Sequence, residues 1–519
     1  MKRAYTVTRV REAERALMAR LPAGTLMQRA AAGLEVACAE RLRAERSRTG
    51  RSRGARSSSG RSRGARGGLY GARLLVLAGS GDNGGDALWA GARLARRGVR
   101  VHAILLNPAR VHAQGLAALR TAGGSVAREA EYSNLIAAAD LVLDGIVGIG
   151  GKPGLRPDAA GLIDLVSRHR RPVLAVDVPS GIDVDTGRIA VPCVRAVETV
   201  SFGTYKPGTL IDPGAAMSGT VRLVDIGLGP QLGEPDLELL EASDVAALLP
   251  VPERTSQKYS RGVLGVLAGS DQFTGAAVLA TGGALAAFVG MVRYAGPPVP
   301  ADLVRAAWPE VVIGNGRVQA WLVGSGLGDA PERAADVRQA LADQRPVLVD
   351  ADGLRHLPER FDVPALLTPH EGELARMLGV ERDAVSDARL RHAREAAERW
   401  NATVLLKGAT TVVAAPDGRT RVCAAGTPWL ATAGSGDVLS GVCGSLLASG
   451  LDPLDAGSVG AWLHQRAGSR AAHGGGPADC GTPDVPSDGG ATARSVAGGP
   501  ITPRDIITEL PTVIRELLT

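Results

Sequence analysis

Beyond residue 70 the chain alternates short apolar runs with Ala-rich stretches of helical period. The runs at 74–78, 99–106, 141–143, 173–176 and 197–202 are short and largely apolar. They predict strands buried on both faces of a parallel sheet. Strand alternating with helix predicts a doubly wound α/β sheet. Around 229–240, GPQLGEPDLELL, Pro and Gly interrupt the pattern. A second α/β series follows, with strands predicted at 263–268, 321–323, 347–349, 365–367, 404–406 and 411–414. Two α/β domains are expected, at 1–230 and 238–519. Helices are predicted at 26–43, 438–447 and 503–518. The uncharged stretch 274–292 reads as one buried helix of a soluble domain: its four glycines and many alanines keep its hydropathy modest.

Composition sharpens this picture. Apolar residues make up 45% of the 519, which excludes wholesale disorder, and aromatics only 3%, so the core must be built from Ala, Val and Leu. The net charge of +6 is misleading, because eight arginines lie in 46–68 and without them the balance is −2. Nothing global therefore suggests nucleic acid. The segment 45–68, with RSRGAR twice, has no apolar face and is expected to be a disordered insert; 474–500 is expected to be a second flexible insertion. Cys38, Cys193, Cys423, Cys443 and Cys480 are scattered and form no CxxC, which argues against a disulfide framework or zinc site and fits a reducing cytoplasm. No apolar run near the N-terminus suits a signal peptide.

Candidate chemistry gathers where predicted strands end. Strand 74–78 runs into Gly79-Ser80-Gly81-Asp82-Asn83-Gly84-Gly85-Asp86. The embedded G-x-G-x-x-G invites a dinucleotide-binding reading. However, the next strand ends Leu105-Leu106-Asn107, without the acid that would hold ribose hydroxyls. DNGGD is the denser signal. It offers backbone N–H groups at a helix start for phosphate and hard oxygens for a cation. Asp144 opens the glycine-rich run 145–151, and Asp177-Val178-Pro179-Ser180 follows strand 173–176. A Walker A loop is excluded, since Gly151-Lys152 is followed by Pro153.

The loops GSGDNGGDA, LDGIVGIGG, VDVPSGIDVDTG and SFGTYKPG resemble the four signature loops of the NAD(P)H-hydrate epimerase domain, over roughly 1–230 outside the insert. The resemblance implies a Rossmann-like fold. It implies that Asp82, Asn83, Gly84, Gly85 and Asp86 cradle the substrate's phosphates. Gly148, Ile149, Gly150, Gly151, Lys152, Pro153 and Gly154 would share that role. Asn83, Asp144 and Ser180 would hold potassium. Asp177 would bind the substrate at its reacting end, and Asp177 with Lys206 is the candidate acid–base pair for epimerisation. The family usually has Asn at Asp82 and Gly at Ala87.

In the second half, GSGLG (324–328), DADGL (350–354), TPHEGE (368–373), LLKGATT (405–411) and AGSGD (433–437) also sit just past strands. G-x-G-D at a helix start provides an anion hole with a carboxylate beside it. Taken singly, His370, Asp352 and Asp437 have ordinary readings as a structural histidine, a turn residue and a helix cap. In this order the motifs resemble the ribokinase-like ADP-dependent NAD(P)H-hydrate dehydratase domain, over roughly 240–519. Phe273-Thr274-Gly275-Ala276 resembles its substrate loop, and Ser256-x-Lys258 its opening segment. The resemblance implies that Lys407, Gly408, Ala409, Thr410, Thr411 and Gly436 contact the adenine nucleotide. It implies that Ala276, Gly326, His370 and Asp437 contact the hydrate, with Asp437 as catalytic base.

The expected function is repair of hydrated nicotinamide cofactors. One domain would interconvert R and S forms of NADHX and NADPHX, and the other would dehydrate the S form at the expense of ADP. The expected cofactors are K⁺ in the first domain and Mg²⁺ in the second. Partners would be small molecules, with no nucleic acid and no membrane, and a homo-oligomer is expected. Two other readings stand beside it. A ribokinase-like vitamin-precursor kinase with a fused binding domain shares the GxGD base but leaves DNGGD, VDVPSG and YKPG unexplained. An RNA-associated protein acting through the Arg-rich arm predicts salt-dependent RNA binding lost on deleting 46–68.

Overall fold

The computed structural model describes residues 1–48, 68–424, 426–475 and 498–519. They form two compact units. One comprises residues 3–236; the other comprises residues 237–475 and 498–519 with Met1–Lys2.

The sheet of the first unit has seven strands, all parallel. Their order is Ser125–Val126, Arg100–Leu105, Arg73–Ala78, Leu141–Gly145, Val173–Val176, Glu198–Phe202 and Thr220–Val224. Successive residues of the central strands point to opposite faces. Leu74 and Val76 join one buried cluster, while Leu75 and Leu77 join another. Both faces are therefore covered, which is why the apolar runs are continuous. The order runs outward in both directions from Arg73–Ala78 and Leu141–Gly145. Past the carboxyl ends of such a pair lies the crevice where open α/β sheets bind ligands.

In the second unit, from Leu237–Leu239 onward, the order is Thr420–Cys423, Thr411–Ala414, Thr403–Leu406, Ala365–Leu367, Val347–Val349, Ala320–Val323, Val263–Leu267, Met291–Tyr294 and Val312–Ile313. Only Thr411–Ala414 runs antiparallel to its neighbours in this series. The order reverses at Val263–Leu267 and Ala320–Val323. The helix Ser435–Ala448 packs on these strands and on the helix Thr274–Leu285.

Three expectations need correction. The stretch 274–292 is not one helix: Thr274–Leu285 is helical and Met291–Tyr294 is a strand paired with Val263–Leu267. A buried helix and a buried parallel strand are both apolar throughout, so hydropathy does not separate them. Glu45–Arg48, placed in the disordered insert, close the helix Thr25–Arg48. The remainder of that insert, and most of 474–500, lie outside the described residues. Strands Thr220–Val224 and Thr420–Cys423 were not predicted. The second is half of a hairpin turning at Asp417-Gly418, a signal the sequence carries. Among the described residues no helix is long and apolar enough to cross a membrane.

Candidate active sites

In the first unit, four strand ends supply the site. The helix Asp82–Arg96 starts just past Arg73–Ala78, with Asn83, Gly84, Gly85 and Asp86 buried in its first turns. A Cβ on Gly84 would stand 2.4 Å from the Gly79 carbonyl oxygen, so only glycine lets the helix start this close. Asp144, at the end of Leu141–Gly145, is fully buried. It accepts from Ser180 Oγ at 2.7 Å and from Ser180 N at 2.9 Å. Burial pushes its carboxyl up to about 6, against these hydrogen bonds. Asn83 abuts Gly148, and its buried Nδ2 has no partner among the described residues.

Asp177 is held at φ +66°, a left-handed conformation that costs a non-glycine residue of the order of 1–2 kcal/mol. Its contacts hold it there. Oδ1 accepts from Lys206 Nζ at 2.5 Å and Phe202 N at 3.1 Å, and its own N–H donates to Val200 O at 2.8 Å. Lys206 is 1% exposed and also donates to Phe202 O at 2.8 Å and Ser201 Oγ at 3.2 Å. Asp86 is buried nearby. Desolvation, then the charges of Asp177, Asp82 and Glu14, hold its carboxyl well above the usual carboxylate range.

In the second unit a buried carboxylate organises the centre. Asp350 accepts from Lys407 Nζ at 2.8 Å, Ser440 Oγ at 2.8 Å, Thr368 Oγ1 at 2.9 Å and Ser325 Oγ at 3.1 Å. Burial alone would raise its carboxyl, but the Lys407 ammonium and these hydrogen bonds pull it below the ordinary range. Lys407 is driven the other way. Its desolvation is outweighed by Asp350 and Glu373, which keep it charged. Asp437, in the first turn of Ser435–Ala448, is left without such compensation. Burial and the repulsion of Asp350 push its carboxyl up to about 7, while Lys407 and a hydrogen bond with Ser325 oppose the shift. A cluster of neutral-range base, ammonium and helix N-terminus suits proton removal beside a transferring anion.

Two family models match the chain. One, described as YjeF-related protein N-terminus, covers residues 23–208; the other, described as NAD(P)H-hydrate dehydratase, covers 264–482. The bifunctional NAD(P)H-hydrate repair enzyme of Mycobacterium leprae is 46% identical over 498 residues, spanning 94% of this chain and 97% of that protein. The chain belongs to the bifunctional NAD(P)H-hydrate repair enzymes. The enzyme of the same name from Mycobacterium tuberculosis is 47% identical over 87% of this chain and 90% of its own length. The solved ADP/ATP-dependent NAD(P)H-hydrate dehydratase of Bacillus subtilis, co-crystallized with ATP/Mg²⁺, is 26% identical. It has a TM-score of 0.47 and covers 54% of this chain and 98% of its own.

Within this repair-enzyme chain the fold brings several singled-out residues together. Asp144 touches Ser180, and Asp177 touches Lys206. A Cβ on Gly326 would stand 2.6 Å from the Ala276 methyl, and one on Gly436 would stand 3.7 Å from Lys407 Nζ. His370 caps the helix Glu371–Leu378, its Nδ1 accepting from Gly372 N at 3.0 Å and Glu373 N at 3.3 Å. Burial, opposed by Glu373, lowers its pKa, in keeping with a neutral ring that accepts at Nδ1. Thr410 and Thr411 are buried, and Thr411 lies within the strand Thr411–Ala414. Sequence reasoning missed Glu14, Ser440 and Arg389, and gave Ser325, within GSGLG, no role of its own. The Arg389 guanidinium pairs with Glu371 and donates to Lys407 O at 3.1 Å and Thr410 O at 3.0 Å, holding the 407–410 turn. Only tertiary contact marks it out from the other arginines of RLRHAREAAERW.

Proposed function

We propose that the first unit interconverts the R and S hydrates of NADH and NADPH, and that the second dehydrates the S form with ADP as phosphoryl donor. In this reading the C6 hydroxyl of the hydrated ring leaves and water returns to the opposite face. One proton is given and one is taken. Asp177 and Lys206, already hydrogen-bonded to each other, are the groups we assign to that proton. Asp82–Asp86 and Gly148–Gly154 would hold the phosphates through backbone N–H groups.

Asn83, Asp144 and Ser180 would hold K⁺. They suit it, being hard-oxygen donors around a buried carboxylate that no Lys or Arg among the described residues pairs with. Bound there, the cation would supply positive charge beside the phosphate cradle.

In the second unit Asp437 takes the proton of the C6 hydroxyl as its oxygen bonds to the terminal phosphorus of ADP and AMP leaves. Breaking the C6–O bond with loss of the C5 proton then releases phosphate and restores the ring double bond. Asp437's pKa near neutrality, raised by burial, is the observation that carries this assignment. Mg²⁺ would enter with the nucleotide's phosphates, since no trio of His, Cys, Asp or Glu among the described residues forms a metal cage. The reading includes a cytoplasmic setting.

The test follows absorbance at 340 nm with mixed R and S NADHX, ADP, Mg²⁺ and K⁺. Wild type should recover all the NADH, Asp437→Ala none, and Asp177→Ala only the S fraction rapidly. A folded wild type that recovers none would sink the reading in favour of a kinase acting on another small molecule.

A further inference from the structure

The helix Val7–Met18 precedes residues 23–208, where the first family model matches, and no role has been assigned to it so far. The preceding backbone fixes its position. Tyr5 N donates to Tyr205 O at 3.1 Å, next to Lys206, and Val7 N donates to Asp185 Oδ1 at 2.8 Å. Val10 and Ala13 are buried and turn the helix so that Arg11 and Glu14, one turn apart, serve different ends of one site. Glu14 lies in the field of Asp177, Lys206 and Asp82. Arg11 reaches the glycine-rich loop instead: its Nη2 is 3.2 Å from where a Cβ on Gly150 would stand.

We propose that Arg11 is a substrate-binding residue that pairs with the diphosphate of the dinucleotide held by the Gly148–Gly154 loop. This rests on the epimerase reading above. A diphosphate held by backbone N–H groups gains from a side-chain cation that can pair with it. Asp82 and Asp177 lie near the loops, while Lys206 is buried and occupied by Asp177, Ser201 and the Phe202 carbonyl. Lys152, within the loop, and Arg11, beside Gly150, are both exposed cations. The Arg11 guanidinium makes no hydrogen bond or ion pair among the described residues, its carbonyl accepting from Arg15 Nε at 3.3 Å, though Glu14 and Asp185 lie within its field. Its planar fork suits two phosphate oxygens, and the absence of a side chain at Gly150 lets it lie against the loop.

The test measures R-to-S conversion by chromatography without ADP, so that dehydration is silent. Wild type, Arg11→Gln and Arg11→Lys are compared on NADHX and on the hydrate of reduced nicotinamide riboside, which has no phosphate. Arg11→Gln should raise KM for NADHX by about tenfold, with kcat within about twofold, and leave kcat/KM for the riboside hydrate unchanged. Arg11→Lys should fall between the two. An unchanged KM for NADHX, or equal losses on both substrates, would overturn the assignment, the latter by showing a merely structural role. A wild type unable to convert either hydrate removes the epimerase reading itself, and the assignment with it.

Discussion

At the residue scale, the chemistry follows from which carboxylates receive compensation for burial. Asp350 is given an ammonium and three hydroxyls and stays ionised; Asp437, close by, is given far less and is pushed up to about 7. A base must be ionised to accept a proton. Dehydration should therefore rise with pH up to about 7 and level off above it, read from kcat/KM, which reports the free enzyme. Stability should run the other way. The native state holds the Asp437 proton to higher pH than the unfolded chain, so this group favours the native state as pH falls from 8 toward 5. Denaturant melts should show Asp437→Asn more stable than wild type at pH 8, with the difference shrinking by pH 5. The sequence showed Asp437 through its GxGD setting. Nothing local showed that Thr368 and Ser440 attend Asp350 instead, or that Ser325 serves both carboxylates, because a hydroxyl's partner is set by the fold.

At the scale of elements, the dehydratase centre depends on two helices in backbone contact. A Cβ on Gly441 of Ser435–Ala448 would stand 2.1 Å from Ala280 O, and one on Gly283 of Thr274–Leu285 would stand 2.4 Å from Val438 O. Asp437 precedes Val438, so the spacing of this pair sets where Asp437, the proposed base, lies. Gly441→Ala should push the helices apart, destabilise the protein by about 1–3 kcal/mol in urea melts and lower the kcat of dehydration. Epimerisation by the same sample should be unchanged, since the residues proposed for it lie in the other unit. Most elements were legible from periodicity, and the helix Pro503–Leu518 spans the residues expected of it. The break after Leu285 was not legible. A Cβ on Gly290 would stand 2.1 Å from Lys258 O, so that glycine marks a close approach of distant backbone, which hydropathy cannot register.

At the scale of the whole molecule, the Arg-rich segment is the feature that most separates the competing readings. Its flanks are already tied: the Arg46 guanidinium donates to Gly68 O at 2.8 Å and Tyr70 O at 2.9 Å. Replacing residues 49–67 with a short Gly/Ser linker should leave both activities within about twofold of wild type. Gel shifts should show no RNA binding before or after the replacement; RNA binding lost with the segment would favour the RNA-associated reading. By itself the sequence determined the α/β alternation, the polar loops at strand ends and the family likeness those loops carry. Each is a local pattern, fixed by the period of side chains along a strand or helix and by the needs of a turn. The tertiary structure alone decided which strands flank each switch point, and hence which loops share a crevice. It alone set Asp177 in a left-handed conformation against Lys206, brought Arg11 of the first helix beside Gly150, and gave Asp350 the ammonium and hydroxyls that Asp437 lacks. Those outcomes depend on strand order and burial, which arise only when distant segments pack.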